Sequence, residues 1–135
     1  MILEAFMAPL NAIEDLGPLE GMPLEELNLN SNPKIKDLSP LRGMPLKQIQ
    51  MSSSRVTDLH ALTGMPLELL SVPGCPITDF FALRGMPLKK LVVTNTRFAD
   101  GRVLAGMPLA DLTLDTLSFT DAATLVGLPL RTLTL

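Results

Sequence analysis

Gly21-Met22-Pro23-Leu24 returns at Gly43-Leu46, Gly64-Leu67, Gly85-Leu88 and Gly106-Leu109, and once more, altered, as Gly127-Leu128-Pro129-Leu130. The first step is 22 residues and every later one is 21. Self-similarity at such a step marks a solenoid, because one unit cannot bury its apolar residues alone and stacked units can. Working outward from the glycine, the second unit supplies Leu46, Ile49 and Met51, then Ser54, Val56, Asp58, Leu59 and Leu62. Two periods share each unit. Leu27 and Leu29 alternate with Asn28 and Asn30, the period of a strand, whereas Leu38 and Leu41 lie three apart after Asp37, one helical or 3-10 turn.

Stacking turns these positions into columns. Leu24, Leu46, Leu67, Leu88, Leu109 and Leu130 form one; Leu27, Ile49, Leu70, Leu91, Leu112 and Leu133 a second; Leu29, Met51, Val72, Val93, Leu114 and Leu135 a third. The far side supplies Ile13, Ile35, Val56, Ile77, Phe98 and Phe119, then Leu19, Leu41, Leu62, Leu83, Leu104 and Leu125. Every member is apolar. Asp15, Asp37, Asp58, Asp79, Asp100 and Asp121 precede the helical turn and fit its N-cap, where a carboxylate accepts hydrogen bonds from unpaired amides. The glycine after each turn fits the left-handed C′ position, and the proline two residues later stops the helix.

Residues 1–20 read as a degenerate first coil, with Leu3, Phe6 and Ala8 standing where Leu24, Leu27 and Leu29 stand. Residues 21–126 make five regular coils and 127–135 a truncated last one, so the whole chain, 1–135, reads as a single repeat domain. Seven parallel strands are expected, about 30 Å of stack at roughly 4.8 Å per strand. The last strand, Leu130-Leu135, is apolar and has no polar coil after it. That predicts either a longer parent chain or a partner copy over that end, and hence self-association through the C-terminal strand.

At this point the residues carry a resemblance. Leu24-Glu-Glu-Leu27-Asn-Leu29-Asn-Ser-Asn32 resembles the leucine-rich repeat, and Ile35-Lys-Asp37-Leu38-Ser-Pro40-Leu41 is similar to the short bacterial type seen in internalins. The Gly-Met-Pro-Leu step also resembles repeats of large planctomycete-type proteins, some of which carry kinase domains. The resemblance implies a right-handed α/β solenoid, with a parallel sheet on the concave face, used for protein binding, and short helical or 3-10 turns on the convex face. The chain departs from the family at its asparagine ladder, kept at Asn32 but replaced by Ser54, Cys75, Thr96 and Leu117. Ser, Cys and Thr retain part of that hydrogen bonding; Leu117 does not. Gly101 and Ala122 replace the leucine after Asp, which predicts a looser, more helical convex side there.

Composition narrows the function classes. Five Phe and no Trp or Tyr leave a core of Leu, Ile, Val and Met. Net charge is −3, from 11 basic and 14 acidic residues without runs of one sign, which argues against nucleic acid or an anionic membrane as partner. No apolar run approaches the roughly 20 residues of a membrane span. One cysteine excludes an internal disulfide, and one histidine leaves no His cluster for a metal. With no basic region before the first apolar residues, the N-terminus does not read as a signal peptide, and a cytoplasmic setting is favoured.

No phosphate-loop, dinucleotide, zinc-protease or serine-elbow motif occurs, so neither catalytic residues nor a cofactor are expected. Asp111 and Asp115 share a strand face but lie about 13 Å apart, too far for a carboxylate pair. Cys75 reads as a buried thiol, His60 as a solvent-facing side chain, and the column of Met22, Met44, Met65, Met86 and Met107 as packing. Function is then expected on the outward strand positions: Gln50, Leu69, Ser71, Pro73, Lys90, Val92, Thr94, Asp111, Thr113 and Asp115. Leu69, Pro73 and Val92 form an apolar patch beside Lys90 there. An unknown protein partner is the leading expectation; a segment of a larger bacterial enzyme such as a Ser/Thr kinase, or a structural spacer, is the alternative.

Overall fold

The computed structural model describes residues 4–7, 13–115 and 119–135. Three-residue strands recur once per coil: β1 (Ala5–Met7), β2 (Glu26–Asn28), β3 (Gln48–Gln50), β4 (Leu69–Ser71), β5 (Lys90–Val92), β6 (Asp111–Thr113) and β7 (Thr132–Thr134). They form one parallel sheet in chain order, β1 to β7. Phe6 pairs beside Leu27, Leu27 beside Ile49, and so on through Leu70, Leu91, Leu112 and Leu133, so the sequence column is the sheet register. Leu3, Ala8 and Leu117 lie outside the described residues.

Each strand returns to the next through a single 3-10 segment: Gly17–Leu19, Ser39–Leu41, His60–Leu62, Phe81–Leu83, Gly101–Leu104 and Ala122–Leu125. Two local devices keep them short. Before the turn, Oδ1 of Asp15, Asp37, Asp58, Asp79 and Asp100 accepts from the amide two residues on, at 2.6–2.9 Å. After it, Gly21, Gly43, Gly64, Gly85 and Gly106 adopt φ between +74° and +77°. A Cβ at any of these five would meet nothing within 4 Å, so backbone torsion rather than crowding selects glycine. Asp121 departs from the expected pattern: its side chain accepts no capping bond, and its carbonyl instead takes the Thr124 hydroxyl at 2.7 Å.

The five apolar columns are the core. Their members from the inner coils are buried, whereas Leu130 and Leu125 near the C-terminal end are half-buried and Leu133 and Leu135 are exposed. Each buried Leu contributes about 1.5–3 kcal/mol by leaving water, and neighbouring coils supply almost all the contact. The methionines of the bend pack here too, with Met44, Met65, Met86 and Met107 buried and Met22 half-buried.

The convex side is rebuilt in the last coils by an exchange of volume. Where earlier coils place Leu38 or Leu59, the chain has Phe80, then Gly101, then Ala122. Phe98 and Phe119 compensate from the adjacent column: Phe80 meets Phe98 edge-on at 5.0 Å, and Phe98 stacks on Phe119 at 5.9 Å. A ring carbon of Phe119 lies 3.0 Å from where a Gly101 Cβ would stand, so the ring fills the absent leucine's space. The two affected turns each grow by one residue and remain 3-10.

Candidate functional site: the sheet face and its framing turns

Alternation along each strand sends Leu70, Leu91 and Leu112 inward and leaves their neighbours half-buried or exposed on the other face. Parallel register then lines up the expected site residues in rungs. Leu69, Lys90 and Asp111 are direct neighbours, and so are Gln50, Ser71, Val92 and Thr113. Pro73, Thr94 and Asp115 follow two residues past the ends of β4, β5 and β6, all half-buried. The apolar patch of Leu69, Pro73 and Val92 thus lies against Lys90, which is exposed and makes no ion pair among the described residues.

Asp115 has a job that sequence spacing does not reveal. Its Oδ2 accepts the amide of Asn95 in the preceding coil. The amides of Ser31, Ser53 and Gly74 instead bond the carbonyls of Ser52, Pro73 and Thr94. Ser31, Ser53, Gly74 and Asn95 all occupy left-handed backbone, with φ from +52° to +71°. They turn the chain off the end of its strand. Only Gly74 and Asn95 are residue types that signal such a conformation.

Just past this turn, the replaced asparagine ladder sits beneath the rim of the face. Asn32 donates from Nδ2 to the carbonyls of Leu29 and Asn30, and its Oδ1 accepts from Ile13 in the coil before. Thr96 keeps the inward half of this pattern, donating to Val93 at 2.6 Å and accepting from the Phe98 amide. Ser54 and Cys75 share one link between coils, Oγ to Sγ at 3.1 Å, and the thiol also reaches the Met51 carbonyl. Cys75 is fully buried, as expected of a structural thiol, and no three acidic, His or Cys groups converge to hold a metal among the described residues.

Before the first five strands runs a charged row, Glu4, Glu25, Lys47, Glu68 and Lys89, which Ala110 interrupts before β6. Lys47 bonds Glu25 at 2.8 Å and Lys89 bonds Glu68 at 2.7 Å, each one coil apart. The hydrogen bond from Lys89 holds the Glu68 carboxyl below its ordinary range, and that to Glu25 raises Lys47. On the convex side the capping carboxyls are depressed too: Asp37 by the Ser39 hydroxyl and amide, Asp58 by the His60 amide and ring, and Asp100 to about 2 by the Arg102 guanidinium. His60 is exposed, its ring nitrogen on Asp58.

No protein-family profile matches the chain, and no curated protein matches it by sequence. Solved structures do. An internalin C2 of Listeria monocytogenes superposes with a TM-score of 0.78 at 25% identity, over 96% of this chain and 70% of that one. An internalin (inlF) of the same organism gives 0.82 at 23% identity, over 98% of this chain and 48% of that one. Seven parallel strands joined by 3-10 segments, in this chain, fit a leucine-rich-repeat protein. The chain is a leucine-rich-repeat solenoid, similar in fold to the internalins.

Proposed function

We propose that the chain is a non-catalytic interaction module that binds a protein partner on its sheet face. The observation that carries this is the set of apolar residues Leu69, Pro73 and Val92 around Ser71, with Lys90 and Asp111 in the rung of Leu69, on a surface of short strands whose backbone is already paired. A rigid sheet loses little entropy on binding, and specificity then rests with side chains standing in rungs. Gln50, Ser71, Thr94, Thr113 and Asp115 supply the polar surround that such an apolar centre requires. Residues 1–135 act in this reading as one repeat domain, with 21–126 as its regular coils.

The test is capture of a partner by the immobilised chain and by its Val92→Glu variant. Val92 is half-buried on the outer face, so the variant folds, which circular dichroism checks. Loss of the partner from folded Val92→Glu, and from Lys90→Glu, supports the reading. Undiminished capture by both variants removes the sheet face as the binding surface.

A further inference from the structure

The two ends of the solenoid are the two edges of its sheet, β1 and β7, and they are unlike. At the last coil Leu125, Leu128 and Leu130 are half-buried, and Leu133 and Leu135 are exposed. At the first, a hollow of about 480 Å³ opens among Phe6, Ile13, Leu16, Leu19 and Met22. The two faces are drawn from the same columns: Leu133 belongs with Phe6, Leu125 with Leu19, and Leu128 with Met22. Within the chain, six strand-to-strand junctions are made by seating one such face on the other. Each end thus carries one half of an interface that the chain already builds six times.

The backbone is complementary in the same sense. The carbonyls of Glu4, Glu25, Lys47, Glu68, Lys89 and Ala110 each accept two amides of the following coil, at 2.8–3.1 Å. Arg131 stands next in that series, so its carbonyl meets the position from which the Glu4 and Ala5 amides of a further coil donate. Charge agrees. Lys47 bonds Glu25 and Lys89 bonds Glu68 across one coil, and the same series begins on Glu4 and ends on Arg131. Joining the ends therefore sets a guanidinium beside a carboxylate. The other charges of the first and last coils are acidic: Glu14, Asp15 and Glu20 at one end and Asp121 at the other. Of these only Asp15 and Asp121 share a column, at the spacing where Asp58 already bridges Asp79.

We propose that the C-terminal end of one copy of residues 1–135 seats on the N-terminal end of a second, β7 pairing in parallel with β1 in the register that the coils already use. Leu133 then stands beside Phe6 as it stands beside Leu112 in its own chain, and Leu125 and Leu128 close the hollow. The contact is head to tail, so copies add into a row of stacked solenoids instead of closing as a pair. A twofold pairing of two β7 edges needs antiparallel strands, which no junction of this sheet uses, and it leaves the hollow at Phe6 open. The surface lies at the ends of the stack and goes beyond the sheet-face reading.

The test is sedimentation of the 135-residue chain with one end blocked at a time, by Leu133→Lys or by Phe6→Lys, folding being checked by circular dichroism. Each variant alone is expected to be a monomer. Their equimolar mixture is expected to form a dimer and nothing larger, because each brings one intact end. Glu4→Arg and Arg131→Glu, both at exposed positions, are each expected to weaken association of the parent chain about fivefold at low salt, and the double variant to restore it. This charge exchange decides the matter if Phe6→Lys disturbs the first coil. Val92→Glu leaves association unchanged, which separates this contact from the sheet face. Association of folded Phe6→Lys by itself, a monomeric mixture of the two folded variants, no rescue by the charge exchange, or a parent chain that stops at a dimer or stays a monomer overturns the proposal.

Discussion

The main chain of Gly101 passes so close to Thr124 that a Cβ on it would lie 2.0 Å from the threonine Oγ1. Coils five and six meet there without a side chain between them. Thr124 is itself held by its bond to the Asp121 carbonyl, so it does not swing away freely. Gly101→Ala therefore costs about 2 kcal/mol by overpacking. Gly43→Ala, with open space but φ of +76°, costs about 1 kcal/mol of torsional strain. Urea unfolding of both variants checks the order, and equal losses would refute the crowding.

Asn32 ties two coils together, and its surviving relatives do less. Asn32→Ala strands the Ile13 amide and two carbonyls in a buried setting, an expected loss of about 2–3 kcal/mol. Ser54→Ala removes the link to Cys75 and a long bond from the Val56 amide, and costs about 1 kcal/mol. Denaturant midpoints at constant m-value measure both.

Asp100 titrates well below its ordinary 3.8, at about 2, because the Arg102 side chain and amide both favour the carboxylate. A carboxyl depressed on folding adds stability that is complete above its unfolded pKa and lost as pH falls through its folded one. The Asp100 contribution is thus present above about pH 4 and disappears towards pH 2. Its exposure makes it small and sensitive to salt. Carboxyl-carbon NMR titration is expected to show Asp100 moving up towards 3.8 in Arg102→Ala. An unmoved Asp100 would mean that the backbone amide alone sets it.

Leu133, on β7 at the edge of the sheet, is 44% exposed, and Leu135, just after it, 66%. An apolar edge strand is a template for pairing with another chain. Light scattering across a dilution series of these 135 residues is expected to give a mass that rises with concentration. Leu133→Lys is expected to restore the monomer. A constant monomer mass in the parent chain would exclude association through β7.

The repeat was legible because each coil solves the same problem in the same way. Columns such as Leu24 to Leu130, the aspartates at turn starts and the glycines at turn ends all recur, so period alone assigned strand, turn and core. The structure bore out the parallel register and the buried Cys75, and it denied Asp121 its capping bond. Less legible was what single coils do differently. The bond from Asn95 to Asp115, and the left-handed backbone at Ser31 and Ser53, follow no residue-type signal.

The sequence by itself determined the solenoid, its step, its inward and outward positions and the rungs of its sheet face, because periodic burial is written in periodic residues. Tertiary structure alone decided how Phe98 and Phe119 fill the space left by Gly101 and Ala122. It alone brought Phe81 and Arg84 beside Arg102 across a coil boundary. Those contacts join residues about a full coil apart through side-chain volume and direction, which a repeat averages away and only packing resolves.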